Sequence, residues 1–438
     1  MTLVSFFCFL IASLIALSCL PKGSDLFSPA RVFGFIWSIA IGLADLKLSG
    51  FQHTWGVFAW ITLLLGILSF LSGVFIVQVL CLDKNLYSID NVRDSIRREV
   101  FRDDVLFIII IMLFICYVSA YVAEWQVYGA LPIFSAYPDK ARVEIGIFGV
   151  HLFVLVFPII LFLIFEYFIL ARRGLFRRLF LLSLFVTVFF SYFLLLNRFL
   201  YVMFFFMAVG FAYYSSRVVK LRYVVGFVAF LLVSLWYIQS FRESRYAENY
   251  LYVVSKMRFA STYAALTTPY MYIVMNLENF ARAVERLEQH TFGYFSLDAL
   301  MALIGIKHWI GDYFGIKERV FLNSGYNTFP FFWDYYYDYG LLGLTVLPGL
   351  LGSFIALLHK QMRTRPSVRS AAFYSMAIFV MVISFFTNVI SSLNFVFALI
   401  TLVTVQTLLE RAAHSEGSPS REGQAISRAD TAQGVIDG

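Results

Sequence analysis

The sequence predicts an all-α polytopic membrane protein with about eleven transmembrane helices and one long external loop. Three observations predict this. Of 438 residues, 61% are hydrophobic and only 14% charged, whereas a soluble domain is closer to half apolar and a quarter charged. The mean hydropathy of +0.79 agrees. The apolar residues form long continuous runs, not alternating segments of about ten residues, which excludes a barrel and leaves helices that satisfy their own backbone. Basic residues then mark every second connection.

A span needs about 20 apolar residues. Runs with that character cover 3–20, 29–46, 56–80, 105–124, 147–170, 178–196, 199–216, 221–240, 340–358, 370–388 and 394–410. The first run has no Lys or Arg before it and Lys22 and Arg31 after it. A secretory signal has the opposite charge order, so a retained helix entering from outside is expected. Leu179 to Tyr214 is too long for one helix: at about 1.5 Å per residue it would overrun a hydrocarbon core of about 30 Å. Asn197-Arg198 therefore predicts a hairpin. "NVISSLN", residues 388–394, divides the last pair.

Orientation follows from basic residues in short loops. One set of alternate loops carries eighteen, among them Arg93, Arg97, Arg172, Arg178, Arg217, Arg363 and Arg369; the other set has only Lys47, Lys140, Arg142 and Arg198. The N-terminus is thus expected outside and the C-terminus inside. The chain divides into N-terminal membrane helices (1–240), a long external loop (241–339), C-terminal membrane helices (340–410) and a disordered internal tail (411–438). Segments 262–284 and 295–316 of the long loop mix apolar and polar residues at near-helical spacing, so they lie in the interface or dip back toward a cavity. Cys8, Cys19, Cys81 and Cys116 show no CxxC spacing and read as small buried hydrophobes.

The external side collects arginines: Arg142 in "FSAYPDKARVEIG", Arg198 at the hairpin tip, then Arg242, Arg245, Arg258, Arg282 and Arg286 in the long loop. A guanidinium offers phosphate oxygens a planar fork, so this set suits an anionic ligand. The alternative is ordinary solvated charge or pairing with Glu243, Glu248 and Glu285. A lone Arg198 between two apolar runs is costly unless it faces a cavity or snorkels. The stretch "NTFPFFWDYYYDYGLLG", 327–343, sets Asp334 and Asp338 among eight aromatic residues. On a helix the two aspartates share one face, with Tyr335 and Tyr339 beside them. Rings cover the apolar face of a sugar, and carboxylates and phenols bond its hydroxyls. A carboxylate there could also serve as general base. The plainer reading is an aromatic belt with acid near a helix N-terminus. Gly340 and Gly343 suit close helix packing. No HxxxH, HExxH, P-loop or GxGxxG spacing occurs, so no metal site or cofactor is expected; nor is nucleic acid expected as a partner.

Taken in order, these motifs resemble the oligosaccharide repeat-unit polymerases, the Wzy-type O-antigen polymerases of bacterial envelopes. "DLFSPARVFGFIWSIAIG" (25–42) is similar to the family's opening Pro-containing span. "LPIFSAYPDKAR" (131–142) and "LLLNRFLY" (194–201) resemble its Arg-bearing external loops. "NTFPFFWDYYYDYGLLG" resembles its Asn-x-Thr, Asp-aromatic and Gly-x-x-Gly element, and Arg282 to Gly293 its Arg-x10-Gly spacing. The resemblance implies transfer of a glycan from undecaprenyl diphosphate to a lipid-linked repeat unit. It places the protein in the bacterial inner membrane with its site facing the periplasm, and suggests a chain-length regulator as a partner. Arg142, Arg198 and one of Arg242, Arg258 or Arg282 would meet the diphosphate, with Arg245 nearby. Tyr326, Asn327, Thr328, Asp334, Tyr335, Asp338 and Tyr339 would meet the acceptor sugar. Related ligases carry His where this chain has Tyr326, so the base would be His308, Asp334 or Asp338, or no histidine at all. A flippase for the same lipid-linked glycan is the alternative. It predicts charges distributed through the spans and pseudo-symmetric halves, which a single long loop breaks.

Overall fold

A computed structural model describes residues 2–21, 23–80, 86–99, 101–171, 174–216, 226, 245–287, 289–314 and 326–416. No strand occurs among them. The helices are α1 (Leu3–Ser18), α2 (Pro29–Asp45), α3 (Val57–Leu80), α4 (Ile89–Arg98), α5 (Asp103–Tyr128), α6 (Pro138–Glu144), α7 (His151–Leu155), α8 (Phe157–Leu170), α9 (Leu175–Phe193), α10 (Phe199–Ser215), α11 (Arg245–Val254), α12 (Thr267–Arg286), α13 (Asp298–Ile304), α14 (Lys307–Phe314), α15 (Phe332–Thr364), α16 (Val368–Ile383) and α17 (Leu393–Glu416).

Ten of the eleven expected runs are helical; of the run 221–240 all but residue 226 lies outside the described residues. Six stretches, Val57–Leu80, Asp103–Phe134, His151–Leu170, Leu175–Phe193, Phe332–Thr364 and Leu393–Ala413, are long and apolar enough to cross a membrane by length and composition. Leu3–Ser18, Phe199–Ser215 and Val368–Ile383 are apolar but shorter. The break expected at Asn197-Arg198 is present: α9 ends at Phe193, and Leu196 turns the chain with φ 57°. The run 147–170 is not one helix. It divides at Val156 into α7 and α8, with Pro158 in the first turn of α8, where its missing N–H costs nothing. Residues 411–416, expected to belong to the tail, are part of α17, which continues to Glu416; residues 417–438 lie outside the described set.

Close packing of α3 on α15 rests on glycine. A Cβ on Gly73 would fall 2.0 Å from the Gly349 carbonyl oxygen, and one on Gly352 2.2 Å from that of Phe70. The bare backbones approach closely enough for Ser353 Oγ to donate to the Gly73 carbonyl at 3.1 Å, as small residues allow between apolar helices. Helix α8 lies at the centre, with Phe157 and residues 159–164 fully buried.

The connections sort into two ends. At one, the buried Asp25 carboxylate accepts from His359 Nε2 (2.7 Å), Arg363 Nη1 (2.8 Å) and Tyr214 OH (2.7 Å). Arg93 Nε reaches the Tyr213 carbonyl at 2.8 Å and Arg363 Nε that of Tyr87 at 2.9 Å. This is the arginine-rich set of loops. At the other end the Arg258 amide donates to Leu48 O (2.9 Å), Ile133 to Leu194 (3.2 Å), Thr291 to Tyr337 (3.2 Å) and Phe331 to Ser384 (2.9 Å). This loop end unites the sparsely basic connections and the long loop.

The segment 262–284 is not a loose interfacial element. It supplies most of α12, whose buried residues run from Thr267 to Val284, packed on α2 and α3. Segment 295–316 keeps its amphipathic character: α13 and α14 leave Leu300, Leu303, Ile304 and Trp309 exposed.

Candidate active site at the loop end

Helix α12 organises this end through two polar rows at i, i+4, i+7 spacing, a spacing that aligns side chains on one helical face. The first row is Tyr272, Asn276 and Asn279. Asn279 Nδ2 donates to the carbonyls of Tyr326 (2.7 Å) and Thr328 (3.0 Å). Thr328 Oγ1 donates to Asn276 Oδ1. These bonds hold the strand-like approach to α15 along the helix. The Tyr326 ring stands edge-on to Tyr272, centroids 6.3 Å apart. Arg198 Nη2 donates to Tyr272 OH at 3.3 Å, with its guanidinium 5.7 Å from that ring's centroid. Arg198, Tyr272 and Tyr326 thus form one half-buried cluster.

Arg142 sits on α6 and is half-buried. The segment before α6 bonds the hairpin, the Ile133 amide donating to the Leu194 carbonyl at 3.2 Å; Arg142 lies on the short helix that follows this segment, and Arg198 at the head of α10.

The second row is Glu278, Arg282 and Glu285, facing the α2–α3 loop. Glu278 is fully buried. Its Oε1 accepts from the His53 amide (2.7 Å) and lies 3.1 Å from His53 Nδ1; its Oε2 accepts from Trp55 Nε1 (2.8 Å) and Lys47 Nζ (3.4 Å). Arg282 Nε stands 3.9 Å from Oε1, and its Nη2 lies against the His53 ring. Burial pushes the Lys47 ammonium down from its ordinary pKa, and the Glu278 charge opposes that shift. Glu285 Oε1 accepts from the Gly56 amide at 3.0 Å. Arg282 therefore belongs to a different face of α12 from the Arg198 cluster. Tyr272 and Arg282 are ten residues apart, about 15 Å along the helix axis.

The aromatic–acidic element is enclosed, not laid open as a floor for a sugar. Phe329 to Asp338 are all buried. Trp333 stacks on Phe329 at 4.8 Å and Tyr337 on Phe295 at 4.6 Å. Asp334 is 4% exposed and Asp338 0%. Asp338 accepts from Thr291 Oγ1 (2.5 Å) and the amides of Phe295 (3.2 Å) and Ser296 (2.6 Å). Those bonds make it a clasp for the 291–296 turn; no part of the carboxylate meets solvent. Gly340 does not pack a neighbouring helix. It breaks α15 with φ 62°, ψ −144°, and a Cβ there would meet His290 Nε2 at 2.9 Å. Tyr335 is buried, and Tyr339 OH lies over Gly293, 2.8 Å from where a Cβ would stand. Asn327 and Arg258 are exposed, and the Arg258 amide donates to the Leu48 carbonyl at 2.9 Å. Arg242 lies outside the described residues, as do the side chains of Arg245 and His308.

All four non-glycine residues with left-handed φ among the described residues, Lys47, Leu196, Lys256 and Phe292, lie in turns of this end. Such strain, costing of order 1–3 kcal/mol each, concentrates at functional sites. Sequence reasoning passed over Tyr272, Asn276, Glu278 and Asn279, and treated His53 as unremarkable. Their signal was "NLEN", 276–279: three polar residues that follow the apolar stretch 273–275 and point to more than one face. Among the described residues no three His, Cys, Asp or Glu side chains are grouped to hold a metal ion.

A family model described as "Putative O-antigen polymerase" matches residues 25–398, and so takes in both rows of α12, the α9–α10 hairpin and the whole aromatic–acidic element. No curated protein and no solved structure matches the chain. The family match extends over most of the 438 residues, and the chain belongs to the O-antigen polymerase family.

Proposed function

We propose that this protein polymerises lipid-linked oligosaccharide repeat units at the periplasmic face of the bacterial inner membrane. The growing glycan passes from undecaprenyl diphosphate to the non-reducing sugar of a new lipid-linked unit. The observation that carries this reading is the half-buried Arg198 at the head of α10, seated on Tyr272 beside Tyr326. Cleavage of the bond between the anomeric carbon and the diphosphate oxygen sends an electron pair onto the leaving group. Preorganised guanidinium groups stabilise that charge at no cost of reorganisation. The acceptor oxygen attacks the opposite face of the anomeric carbon, so a single displacement inverts it. Tyr272 and Tyr326 offer ring faces and hydroxyls to sugar. Asp338 acts by holding the 291–296 turn, and Asn276 and Asn279 by holding 326–328. The basic-residue count supports a periplasmic N-terminus. A chain-length regulator is a further partner that the family suggests.

The test is deletion and complementation in the host, with the surface polysaccharide resolved on a gel. Loss of the ladder to a single repeat unit, restored by wild type and not by normally expressed Arg198→Ala or Arg142→Ala, supports the reading. Loss of every unit from the surface, with lipid-linked units accumulating inside, would make the protein a flippase.

A further inference from the structure

We propose that the turn between α16 and α17 seats the isoprenoid tail of the lipid-linked donor, which leaves for the bilayer past α13; this rests on the polymerase reading above. The surroundings of Arg198 divide by chemistry. On one side stand phenols and an amide: Tyr272, Tyr326, and Asn276 bonded to Thr328. On the other stand Phe199, next to Arg198 in sequence, and Phe386, with ring centroids 6.4 Å apart. Phe386 also faces Tyr272, centroids 6.2 Å apart. The apolar side therefore begins at the ring that carries the guanidinium. Phe199, Phe385, Phe386 and Ile390 are all half-buried. Their side chains have no donor or acceptor for a sugar hydroxyl. No charged residue occurs from Ser370 to Leu409. A lipid-linked glycan has the same division, with sugar on one side of its phosphates and hydrocarbon on the other. Set with the phosphates at Arg198 and the glycan toward the phenols, it lays its first isoprene units on Phe199 and Phe386.

The turn is held in place before any ligand arrives. The Ser384 carbonyl accepts from the Phe331 amide at 2.9 Å, and Ser384 Oγ accepts from Trp37 Nε1 at 2.9 Å. The same turn leads outward. Ile390 lies in the 3-10 turn Val389–Ser391, on which α13 packs, and α13 packs on α17 as well. Helix α13 exposes Leu300, Leu303 and Ile304, and α17 exposes Ile400 and Val403 on a stretch long and apolar enough to cross a membrane. These apolar surfaces lie in series from the Arg198 cluster to the flank of a span. A hydrocarbon chain that follows them stays out of water.

The rival exit runs along the segment before α6. Phe134 and Tyr137 are exposed there, and Ile133 bonds the hairpin at Leu194. The helix that follows is polar on its surface, with Lys140 and Glu144 paired at 3.6 Å through exposed side chains. A charged, solvated helix is a poor bed for an isoprenoid.

The test uses the purified full-length protein in lipid nanodiscs with a radiolabelled undecaprenyl-linked repeat unit. The photoreactive residue p-benzoylphenylalanine replaces Phe386, Leu303 or Phe134 in turn. Irradiation is expected to label the first two positions and not the third, and excess unlabelled undecaprenyl diphosphate should remove the label. This arm needs no turnover. It decides the tail seat even if wild type fails to polymerise, an outcome that removes the polymerase reading alone. Label at position 134 alone overturns the proposal, as do adducts of nanodisc phospholipid only at 386 and 303.

Kinetics separate a tail seat from a structural role. Undecaprenyl-linked and geranyl-linked units are compared in the same nanodiscs. Phe386→Ala should raise KM about tenfold for both, because it removes apolar contact from the first isoprene units. Leu303→Gln/Ile304→Gln, at two exposed side chains, should raise KM about tenfold for the undecaprenyl unit and not for the geranyl one. The preference for the long tail then narrows by that factor. This double variant carries the kinetic test if Phe386→Ala does not accumulate. A long-tail preference that it leaves unmoved is set by partition into the bilayer alone, and that result overturns the proposal.

Discussion

The Ser296 amide donates to the Asp338 carboxylate at 2.6 Å, across 42 residues of chain. With the Phe295 amide and Thr291 hydroxyl on the same carboxylate, this bond ties the turn before α13 to the head of α15. Asp338→Asn cannot accept on its nitrogen and leaves a buried amide poorly partnered, at about 1–3 kcal/mol. Hydrogen exchange should rise over 291–304 and stay unchanged over 131–144. Polymerisation should fall by only about tenfold, well short of the loss that removal of a general base produces.

Gly340 carries φ 62° and ψ −144° against His290. Gly340→Ala meets both a backbone region open essentially to glycine alone and a steric contact, for a cost of about 1–3 kcal/mol. We expect a lowered melting temperature in detergent. We also expect the double variant Gly340→Ala/His290→Ala to regain only the steric share.

Gly352 brings α15 against the Phe70 carbonyl of α3. Gly352→Ala forces these backbones apart and should destabilise the protein by about 1–3 kcal/mol. Thermal unfolding of the purified variant and its membrane level in the host check this.

Arg198→Lys retains a charge but not the fork. If the diphosphate is held there, Arg198→Ala should cost about 10²–10³-fold in ladder formation, and Arg198→Lys should recover only part of it. Membrane levels should match wild type for both. Equal activity of all three proteins would remove Arg198 from the site.

Asp25 gives a pH-dependent contribution at the opposite end. Burial alone would raise its carboxyl. The hydrogen bond and charge of His359, the Tyr214 hydroxyl and the charge of Arg363 outweigh burial and hold it at about 2, below its ordinary 3.8. The folded state therefore gains stability that is present in full above pH 3.8 and is lost as pH falls toward 2. Asp25→Asn strands His359 and Arg363 without their counter-charge, at about 3–5 kcal/mol. Melting curves at neutral pH should show that loss, and the variant should lack the wild-type decline between pH 4 and 2.

The helices were legible because a span is a local property: a run of about 20 apolar residues satisfies its own backbone whatever surrounds it. For the same reason the hairpin at Asn197-Arg198 and the grouping of the loops into two ends could be read from length and charge alone. Arg198 stood out as a lone charge between two apolar runs, and Arg142 as one of the basic residues of an external loop. What each polar residue touches was not. Asp334 and Asp338 share a helical face as their spacing requires, yet the packing of 291–296 and the neighbouring helices encloses that face instead of opening it to a ligand. Gly340 is a break and not a packing surface, because the chain must turn there to bring Asp338 under Ser296. Glu278 meets His53 across 225 residues. Only the docking of α12 between the α2–α3 loop and the approach to α15 makes one a buried anchor and the other an open ring, since burial is decided by neighbours distant in the chain, which no local pattern of residues encodes.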